Sequence, residues 1–343
     1  MTYDYLIVTH LPAFYKINLY NEIAKKLNIF VIFVAVDTEE KRSADFTNFG
    51  DVNFKYEILT DKTFQARNLL VTLFKLVTKL KKYEFKKLLV CGWDLPEFWL
   101  AVFLSSSCKN CLALESTVLE SNTNGLRGLI KKIFLSFIDT VFASGDLHVE
   151  LLKTLDYDKK IIITRGVGII NKPSFSFVNK HYRKRFLFVG RLTSVKNLKV
   201  VIDIFNSLPE FKLSIVGSGD ESKLLKKNAK SNIFFIPPVD NKLLRDIYLD
   251  NDIFILPSKK ETWGLVVEEA LFFGLPVIVS KNCGSRELIE HGVNGYIIDP
   301  DDFFNLQETI LSIDDATFAV LQNGVNHFSV NDKDVQQISS YLY

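Results

Sequence analysis

The chain has 343 residues, which is long enough for two domains of ordinary size, each with its own core. Its content of 48% hydrophobic and 24% charged residues is typical of a globular protein and excludes a disordered one. The formal net charge of +2 gives no reason to expect nucleic acid as a partner.

The cysteines and the hydropathy pattern indicate a reducing compartment. Cys108 and Cys111 form a single C-x-x-C, and no second Cys/His pair lies at zinc-ligand spacing, so we expect reduced thiols and no metal site. No apolar run approaches the ~20 residues that span a bilayer, and the first residues do not resemble a signal peptide. The expected location is therefore the cytoplasm, with any membrane contact peripheral.

Short apolar runs alternate with segments of helical periodicity along the whole chain. Runs of three to five apolar residues are typical of strands covered on both faces, and repeated β-α units predict parallel sheets of an α/β protein. The predicted strands of the first half are Tyr5–Val8, Phe30–Val34, Leu88–Cys91, Leu112–Leu114, Val141–Ala143 and Ile161–Ile163. Those of the second half are Phe186–Val189, Leu213–Val216, Ile233–Ile236, Ile253–Leu256 and Val277–Val279.

Three polar residues of the first half lie just beyond predicted strands. His10 and Lys16 follow the first strand, and Glu115 directly follows the strand that ends at Leu114. Ligands of open α/β sheets bind beyond the carboxyl ends of the strands, which makes these residues candidates for a site. The alternatives are a loop imidazole without a role for His10, and a carboxylate that caps the next loop for Glu115.

Two predicted helices of the first half are basic and amphipathic, Leu69–Leu80 and Leu126–Ile138. In the second of these, Arg127, Lys131 and Lys132 lie opposite an apolar stripe. The favoured interpretation is that the stripes pack on the sheet while the lysines face water. The alternative is contact of the basic face with an anionic lipid surface.

The two series of strands predict two doubly wound domains, residues 1–172 and residues 185–316. The segment between them is rich in polar residues and proline and predicts a linker. The segment from about 317 to 343 has a helical pattern and is a candidate for packing back on the first domain.

The loop after the strand Phe186–Val189 carries two cations. Arg191 follows Gly190, and Lys196 opens the next helix. A planar guanidinium and a compact ammonium on one strand-to-helix loop suit a diphosphate. Taken alone, they are equally well explained as solvated surface cations.

Gly217 and Gly219 follow the next strand and form half of a dinucleotide fingerprint. Because the third glycine is missing, the pattern disfavours an NAD-dependent enzyme. The glycines permit a tight turn and a close approach of the backbone to a ligand.

The most informative segment runs from Pro257 to Ala270. Glu261 lies in the loop and Glu269 lies two turns inside the following helix. Two ionised carboxylates suit hydrogen bonds to sugar hydroxyls. The free amides at the start of that helix form an anion site, and they belong to Gly264, Leu265 and Val266.

In this order, these segments resemble the donor half of the retaining glycosyltransferases of family 4, which have the GT-B fold. The resemblance covers roughly residues 185 to 312. It is carried by Gly190-Arg191 with Lys196-Asn197, Val216-Gly217-Ser218-Gly219, Pro257-Ser258, the Glu261/Glu269 pair, Gly274-Leu275-Pro276-Val277-Ile278 and Asn294-Gly295.

The resemblance implies two Rossmann-like domains that face a central cleft. It implies that Arg191 and Lys196 hold the donor diphosphate, that Glu261 contacts the transferred sugar, and that Glu269 binds the ribose. It places Ser285 and Glu287 along the same cleft and implies that the amides of Gly264, Leu265 and Val266 bind the distal phosphate. The first half departs from the pattern, since Thr9–Lys16 replaces the usual Gly-Gly loop and Glu115 stands where relatives often have a histidine.

The implied activity is transfer of a sugar from a nucleotide diphosphate sugar to an acceptor hydroxyl, with retention of configuration and without a metal or another cofactor. The expected setting is synthesis of a cell-surface polysaccharide or lipid-linked glycan, with an anionic membrane surface as a second contact. The alternatives are a sugar-nucleotide epimerase of the same fold and a non-catalytic protein that binds a nucleotide sugar.

Overall fold

The computed structural model describes residues 2–40, 45–47 and 49–342. They form two parallel sheets with helices between most successive strands, which is the predicted α/β fold. The chain divides into two compact units, Met1–Ile169 with Asp334–Tyr343, and Ile170–Lys333. The second unit thus begins earlier than the predicted residue 185, and the chain returns to the first unit at Asp334 rather than at about 317.

The first unit contains a sheet of seven parallel strands. The chain adds the second and third strands on one side of the first strand and the remaining four on its other side, so the first and fourth strands are neighbours. The strands are β1 (Thr2–Thr9), β2 (Ile29–Asp37), β3 (Lys55–Thr63), β4 (Glu84–Val90), β5 (Asn110–Leu114), β6 (Thr140–Ala143) and β7 (Lys160–Ile163). The helices are α1 (Phe14–Ala24), α2 (Leu69–Lys82), α3 (Pro96–Leu104), α4 (Gly125–Ser136) and α5 (Asp146–Thr154). The sheet order is β3-β2-β1-β4-β5-β6-β7.

The second unit repeats this arrangement with six parallel strands. The strands are β8 (Arg185–Val189), β9 (Lys212–Val216), β10 (Ile233–Ile236), β11 (Ile253–Leu256), β12 (Val277–Ser280) and β13 (Gly295–Ile298). The helices are α6 (Leu198–Ser207), α7 (Ser222–Asn228), α8 (Arg245–Asp250), α9 (Leu265–Phe272), α10 (Phe303–Leu311) and α11 (Asp315–His327), followed by α12 (Val330–Ser340), which runs from the second unit into the first. The sheet order is β10-β9-β8-β11-β12-β13.

Every predicted strand overlaps an observed one, and the two that the apolar runs did not predict, β3 and β13, lie at sheet edges. The edge strand β3 has a neighbour on one side only and exposes more of its length, so it tolerates polar residues. Glu57 and Lys62 interrupt the apolar pattern of β3 in this way.

The core of the first unit lies on both faces of its sheet. Side chains of β1 alternate between two buried clusters, with Leu6 and Val8 in one and Tyr5 and Ile7 in the other. Because both faces are covered, the strand reads as a continuous apolar run rather than as an alternating one.

The apolar stripes of α2 and α4 pack only in part. Phe134 of α4 is fully buried, whereas Leu126 is 72% exposed, and Leu129, Ile130 and Ile133 are exposed as well. On α2, Phe74 is 71% exposed. Packing on the core therefore accounts for Phe134 and Leu135 near the end of α4, and the apolar side chains before them are exposed to solvent. In the described ranges, no helix combines the length and apolarity required to cross a membrane.

Candidate functional site in the second unit

The order of the second sheet reverses between β8 and β11, and the loops after these two strands diverge at that point. In open α/β sheets ligands bind beyond the carboxyl ends of the strands at this switch point, and here the two loops also contact each other. Lys196 ends a 3-10 turn in the first loop, and Glu261 lies in the second. Their side chains form an ion pair, and each of the two side chains is 16% exposed. The amide of Lys259 donates to the carbonyl of Val195 at 2.8 Å and holds the two loops together.

Gly264 opens helix α9 beside this ion pair. Its φ of 96° lies in the left-handed region, and an added Cβ would lie 3.0 Å from Sγ of Cys283 and 3.1 Å from Cδ2 of Leu256. Only glycine fits both constraints. The amides of Gly264, Leu265 and Val266 are half-buried at the helix start, where the first N–H groups have no partner within the helix and the dipole favours an anion.

The two glutamates of the predicted pair have different surroundings. Glu269 is 4% exposed, and its carboxylate accepts hydrogen bonds from Nδ2 of Asn241 at 2.6 Å and from the hydroxyl of Tyr248 at 2.8 Å. Burial and the Glu269 charge raise the pKa of Tyr248 well above its usual range, so the phenol stays a donor. Glu261 pairs with a cation in the loop, and Glu269 accepts from an amide and a phenol of the preceding β-α unit.

Gly217 and Gly219 allow two loops to pack backbone to backbone. A Cβ on Gly217 would lie 2.0 Å from the carbonyl oxygen of Gly190, and one on Gly219 would lie 2.2 Å from that of Leu192. Packing of the two loops thus explains both glycines of the half fingerprint. They let the loop after β9 contact the loop that carries Arg191, and the Arg191 side chain is exposed.

The segment after β12 runs alongside the Glu261 loop. The amide of Glu261 donates to the carbonyl of Asn282, and the Glu261 carbonyl accepts from the amide of Gly284 at 3.1 Å. Ser285 is buried, with Oγ 3.2 Å from Sγ of Cys283, while Glu287 is half-buried in the next turn. Burial, with a further contribution from the Glu261 charge, raises the pKa of Cys283 to about 12.

A buried ion pair joins helix α9 to helix α12 through Glu268 and Lys333. Glu268 is fully buried and accepts from Nε1 of Trp263 and from Nζ of Lys333, each at 2.6 Å. The sequence did not single out Glu268 or Lys333, because their pairing joins residues 65 positions apart.

In the first unit, the sheet order reverses between β1 and β4, and His10 and Asp94 follow these two strands. Nε2 of His10 lies 3.0 Å from Oδ2 of Asp94. Burial acts to raise the pKa of Asp94, but the hydrogen bond and charge of His10, with smaller contributions from a backbone hydrogen bond and Lys16, together outweigh burial and lower the pKa. Asp94 was not predicted, although the strand-end rule that indicated His10 applies to it equally.

Lys16 and Glu115 form a second pair at the same edge of that sheet. Nζ of Lys16 is buried, 2.5 Å from Oε1 of Glu115 and 3.3 Å from Oγ1 of Thr9. Burial alone would lower the pKa of Lys16, but the Glu115 carboxylate raises it above the ordinary value. The structure thus brings three of the predicted first-half residues to one sheet edge as two hydrogen-bonded pairs.

The four cysteines are free thiols, with Cys108 exposed and Cys111 buried. Within residues 2–40, 45–47 and 49–342, no three His, Cys, Asp or Glu side chains are grouped so that they could hold a metal ion.

Comparison with known proteins shows what the second unit is similar to. Residues 171–315 match the family model of the glycosyl transferases group 1. A relative described as an uncharacterized glycosyltransferase of Haemophilus influenzae is 34% identical over 198 residues, which are 54% of this chain and 53% of that protein. The chain thus spans about half the length of this curated relative.

Solved structures match over nearly the whole chain. The sucrose-phosphate synthase of Thermosynechococcus elongatus superposes with a TM-score of 0.75 at 16% identity and covers 98% of each chain. The Anabaena protein HepE, crystallised with UDP, gives a TM-score of 0.72 at 15% identity and covers 97% of each. Residues 171–315 are thus similar to the glycosyl transferases group 1, and the whole chain has the two-domain α/β fold of these solved structures.

Proposed function

We propose that the protein is a glycosyltransferase that moves a sugar from a nucleotide diphosphate sugar to an acceptor hydroxyl, with retention of configuration. The observation that carries this proposal is the meeting of Lys196, Glu261 and the start of α9 at the switch point of the second sheet. A cation, a carboxylate and free helix amides together match the diphosphate and the sugar hydroxyls of such a donor.

We assign roles to the predicted donor residues as follows. Lys196 and Arg191 bind the diphosphate, and the amides at Gly264–Val266 bind its distal phosphate. Glu261 exchanges its contact with Lys196 for sugar hydroxyls when the diphosphate takes over the lysine. The crystal complexes of Anabaena HepE with UDP and with UDP-glucose support a nucleotide sugar as the donor.

Glu269 is assigned to the ribose. Its carboxylate is held in place by Asn241 and Tyr248, and an ionised carboxylate has further lone pairs that accept from the ribose hydroxyls. Nucleotide affinity and sugar transfer are thus assigned to different members of the glutamate pair.

These assignments predict a separation of binding from turnover. Glu269→Ala is expected to weaken the binding of free nucleoside diphosphate by about 1.5–3 kcal/mol, because a charge-assisted bond is lost. Glu261→Ala is expected to keep that affinity and to slow transfer. Isothermal titration calorimetry with UDP and GDP, together with turnover of the donor found by a thermal-shift screen, measures both. Unchanged affinity in both variants would refute the assignment.

Retention follows if the departing diphosphate accepts the acceptor proton on the face that it leaves. The site supplies charge stabilisation for that diphosphate, and we assign no base to the opposite face. We expect the product to keep the anomeric configuration of the donor. Proton NMR of fresh product, read from the anomeric coupling, tests this expectation.

We also expect the reaction to proceed in excess chelator. Loss of activity in EDTA, restored by magnesium or manganese, would contradict this expectation.

The acceptor side is assigned to the first unit, at the pairs His10–Asp94 and Lys16–Glu115. We place the reaction in cell-surface polysaccharide or lipid-linked glycan synthesis, in the cytoplasm at the inner face of the membrane. The exposed apolar residues of α4 beside Arg127, Lys131 and Lys132 support this location. Apolar burial and attraction of basic residues to anionic lipid act together in such helices.

Membrane contact through α4 is directly testable. The full chain is expected to float with vesicles that contain phosphatidylglycerol at low salt, and Lys131→Glu with Lys132→Glu is expected to abolish flotation, since each basic residue contributes ~1 kcal/mol at such a surface. Lys226→Glu with Lys227→Glu makes the same charge change on α7 and is expected to leave flotation intact. Wild type that stays in the soluble fraction would contradict membrane contact.

A further inference from the structure

Helix α3 buries one side, and its other side carries a continuous apolar stripe that is half-buried at Trp99 and Leu100 and exposed at Phe103. Its residues Pro96, Trp99, Leu100 and Phe103 recur at helical spacing on one face, whereas Phe98, Ala101 and Val102 are fully buried against the core. From Pro96 to Phe103 the stripe runs along about 10 Å of helix.

This stripe forms the floor of a groove against α2. The groove has a volume of about 490 Å³, in the size range of small-molecule sites, and is lined by Leu73 of α2, Leu95 and the four stripe residues. Its one charged lining residue is Asp94, immediately before α3. The groove is thus apolar along its length and polar at the end where Asp94 meets His10.

The helices α2 and α4, which contact α3 and its flanks, carry only positive charges, of which Lys79 and Lys82 pair with Glu57 and Lys132 pairs with Asp156. Lysine and arginine are the only charged residues within α2 and α4, at four and three positions respectively. The one acidic residue of α3, Glu97, is fully buried and accepts hydrogen bonds from Arg67 at 3.0 Å and from Thr72 at 2.7 Å. The three helices together present exposed apolar residues, basic residues and an apolar groove, a combination that complements an anionic membrane and the amphiphiles within it.

We propose that the groove between α2 and α3 binds the hydrocarbon chain of a membrane-borne amphiphile, with the polar head of that amphiphile at Asp94. The proposal rests on the proposed function in one respect: the amphiphile is the lipid-linked acceptor. The apolar chain lies along Trp99, Leu100 and Phe103, and the Asp94 carboxylate accepts hydrogen bonds from hydroxyls of the head. The groove thereby sets which acceptors bind, through the length of their lipid chain.

Binding is measured with the full chain and with n-hexyl, n-octyl and n-decyl β-glucoside below their micellar concentrations, in the absence of vesicles and nucleotide sugar. Each added methylene is expected to tighten binding by up to about fourfold. The contact is located with 10-bromodecyl β-glucoside, because bromine quenches tryptophan fluorescence only at short range. Trp99 lines the groove, so quenching is expected in wild type and is expected to be largely lost in Trp99→Phe.

Two neighbouring positions on α2 provide a matched pair of variants. Leu73→Glu places a carboxylate in the groove and is expected to weaken decyl glucoside binding by at least tenfold. Phe74→Glu adds the same charge one residue away, outside the lining, and is expected to change it by less than twofold. Circular dichroism establishes that both variants are folded.

Binding without chain-length dependence, or equal binding by Leu73→Glu and wild type, would overturn the proposal. Absence of Trp99 quenching would also overturn the proposal. If the protein instead self-associates, and Leu73→Glu abolishes this self-association, the groove is an interface between copies of this chain. The binding assay contains no nucleotide sugar, so it is independent of transferase activity. If the protein binds decyl glucoside but transfers no sugar, the proposed function is refuted and the proposed groove is retained.

Discussion

Replacement of Lys196 by alanine is expected to lower the transfer rate by about a hundredfold or more, the loss usual when one group that stabilises developing charge is removed. In the structure Lys196 lies at the switch point of the second sheet and pairs with Glu261. The alanine variant would leave the departing diphosphate without this cation and Glu261 without its partner. The measurement is kcat/KM with the donor identified by thermal shift.

Matched variants separate a local effect from a general one. Arg191→Ala is expected to cause a loss of similar size, and Arg191→Lys is expected to recover little of it, because the planar fork of the guanidinium is lost. Lys199→Ala removes an exposed cation from the adjacent helix α6 and is expected to keep the wild-type rate. Near-normal turnover of either the Lys196 or the Arg191 alanine variant would show that the diphosphate is bound elsewhere.

The largest expected change in stability comes from the buried pair behind α9. Lys333→Met leaves Glu268 as a fully buried carboxylate without its cation, and such a change typically costs about 3–5 kcal/mol in the free energy of unfolding. Urea denaturation followed by circular dichroism measures the loss.

The double variant Lys333→Met with Glu268→Gln is expected to recover most of the stability. The side-chain amide introduced at position 268 would carry no charge, and its oxygen would still accept from Nε1 of Trp263. Asp332→Asn, one residue away on the exposed side of α12, serves as the control and is expected to remain within about 0.5 kcal/mol of wild type, as is usual for surface changes. A loss below about 1 kcal/mol in Lys333→Met would mean that Glu268 tolerates burial without its partner.

The sequence predicts much of the second unit because its informative residues directly follow strands. The carboxyl ends of β8 and β11 are neighbours in the sheet, so a strand-end rule alone suffices to bring Lys196 and Glu261 together. It does not predict how Glu269 is held. Asn241 and Tyr248 come from a different β-α unit, and no local pattern indicates that they converge on one carboxylate.

The first unit is harder to predict for two physical reasons. Its edge strand β3 exposes polar residues and so lacks the apolar run that marks a buried strand. Its site residues form pairs, and a pair can be predicted from the sequence only if both of its members are recognised. His10 was predicted as a site residue, but its partner Asp94 was not. The outward-facing stripe of α4 shows that helical periodicity identifies an apolar face without saying what covers it.

Helix α12 constrains how the two units can be exchanged among relatives. The second unit is inserted into the first, with one junction at Ile169/Ile170 and the other inside α12 at Lys333/Asp334. A chimaera built to transplant donor specificity therefore needs two crossovers, and the second must fall within a helical turn. A crossover near residue 316 would take Lys333 from one parent and Glu268 from the other, whereas one after Lys333 inherits the pair whole.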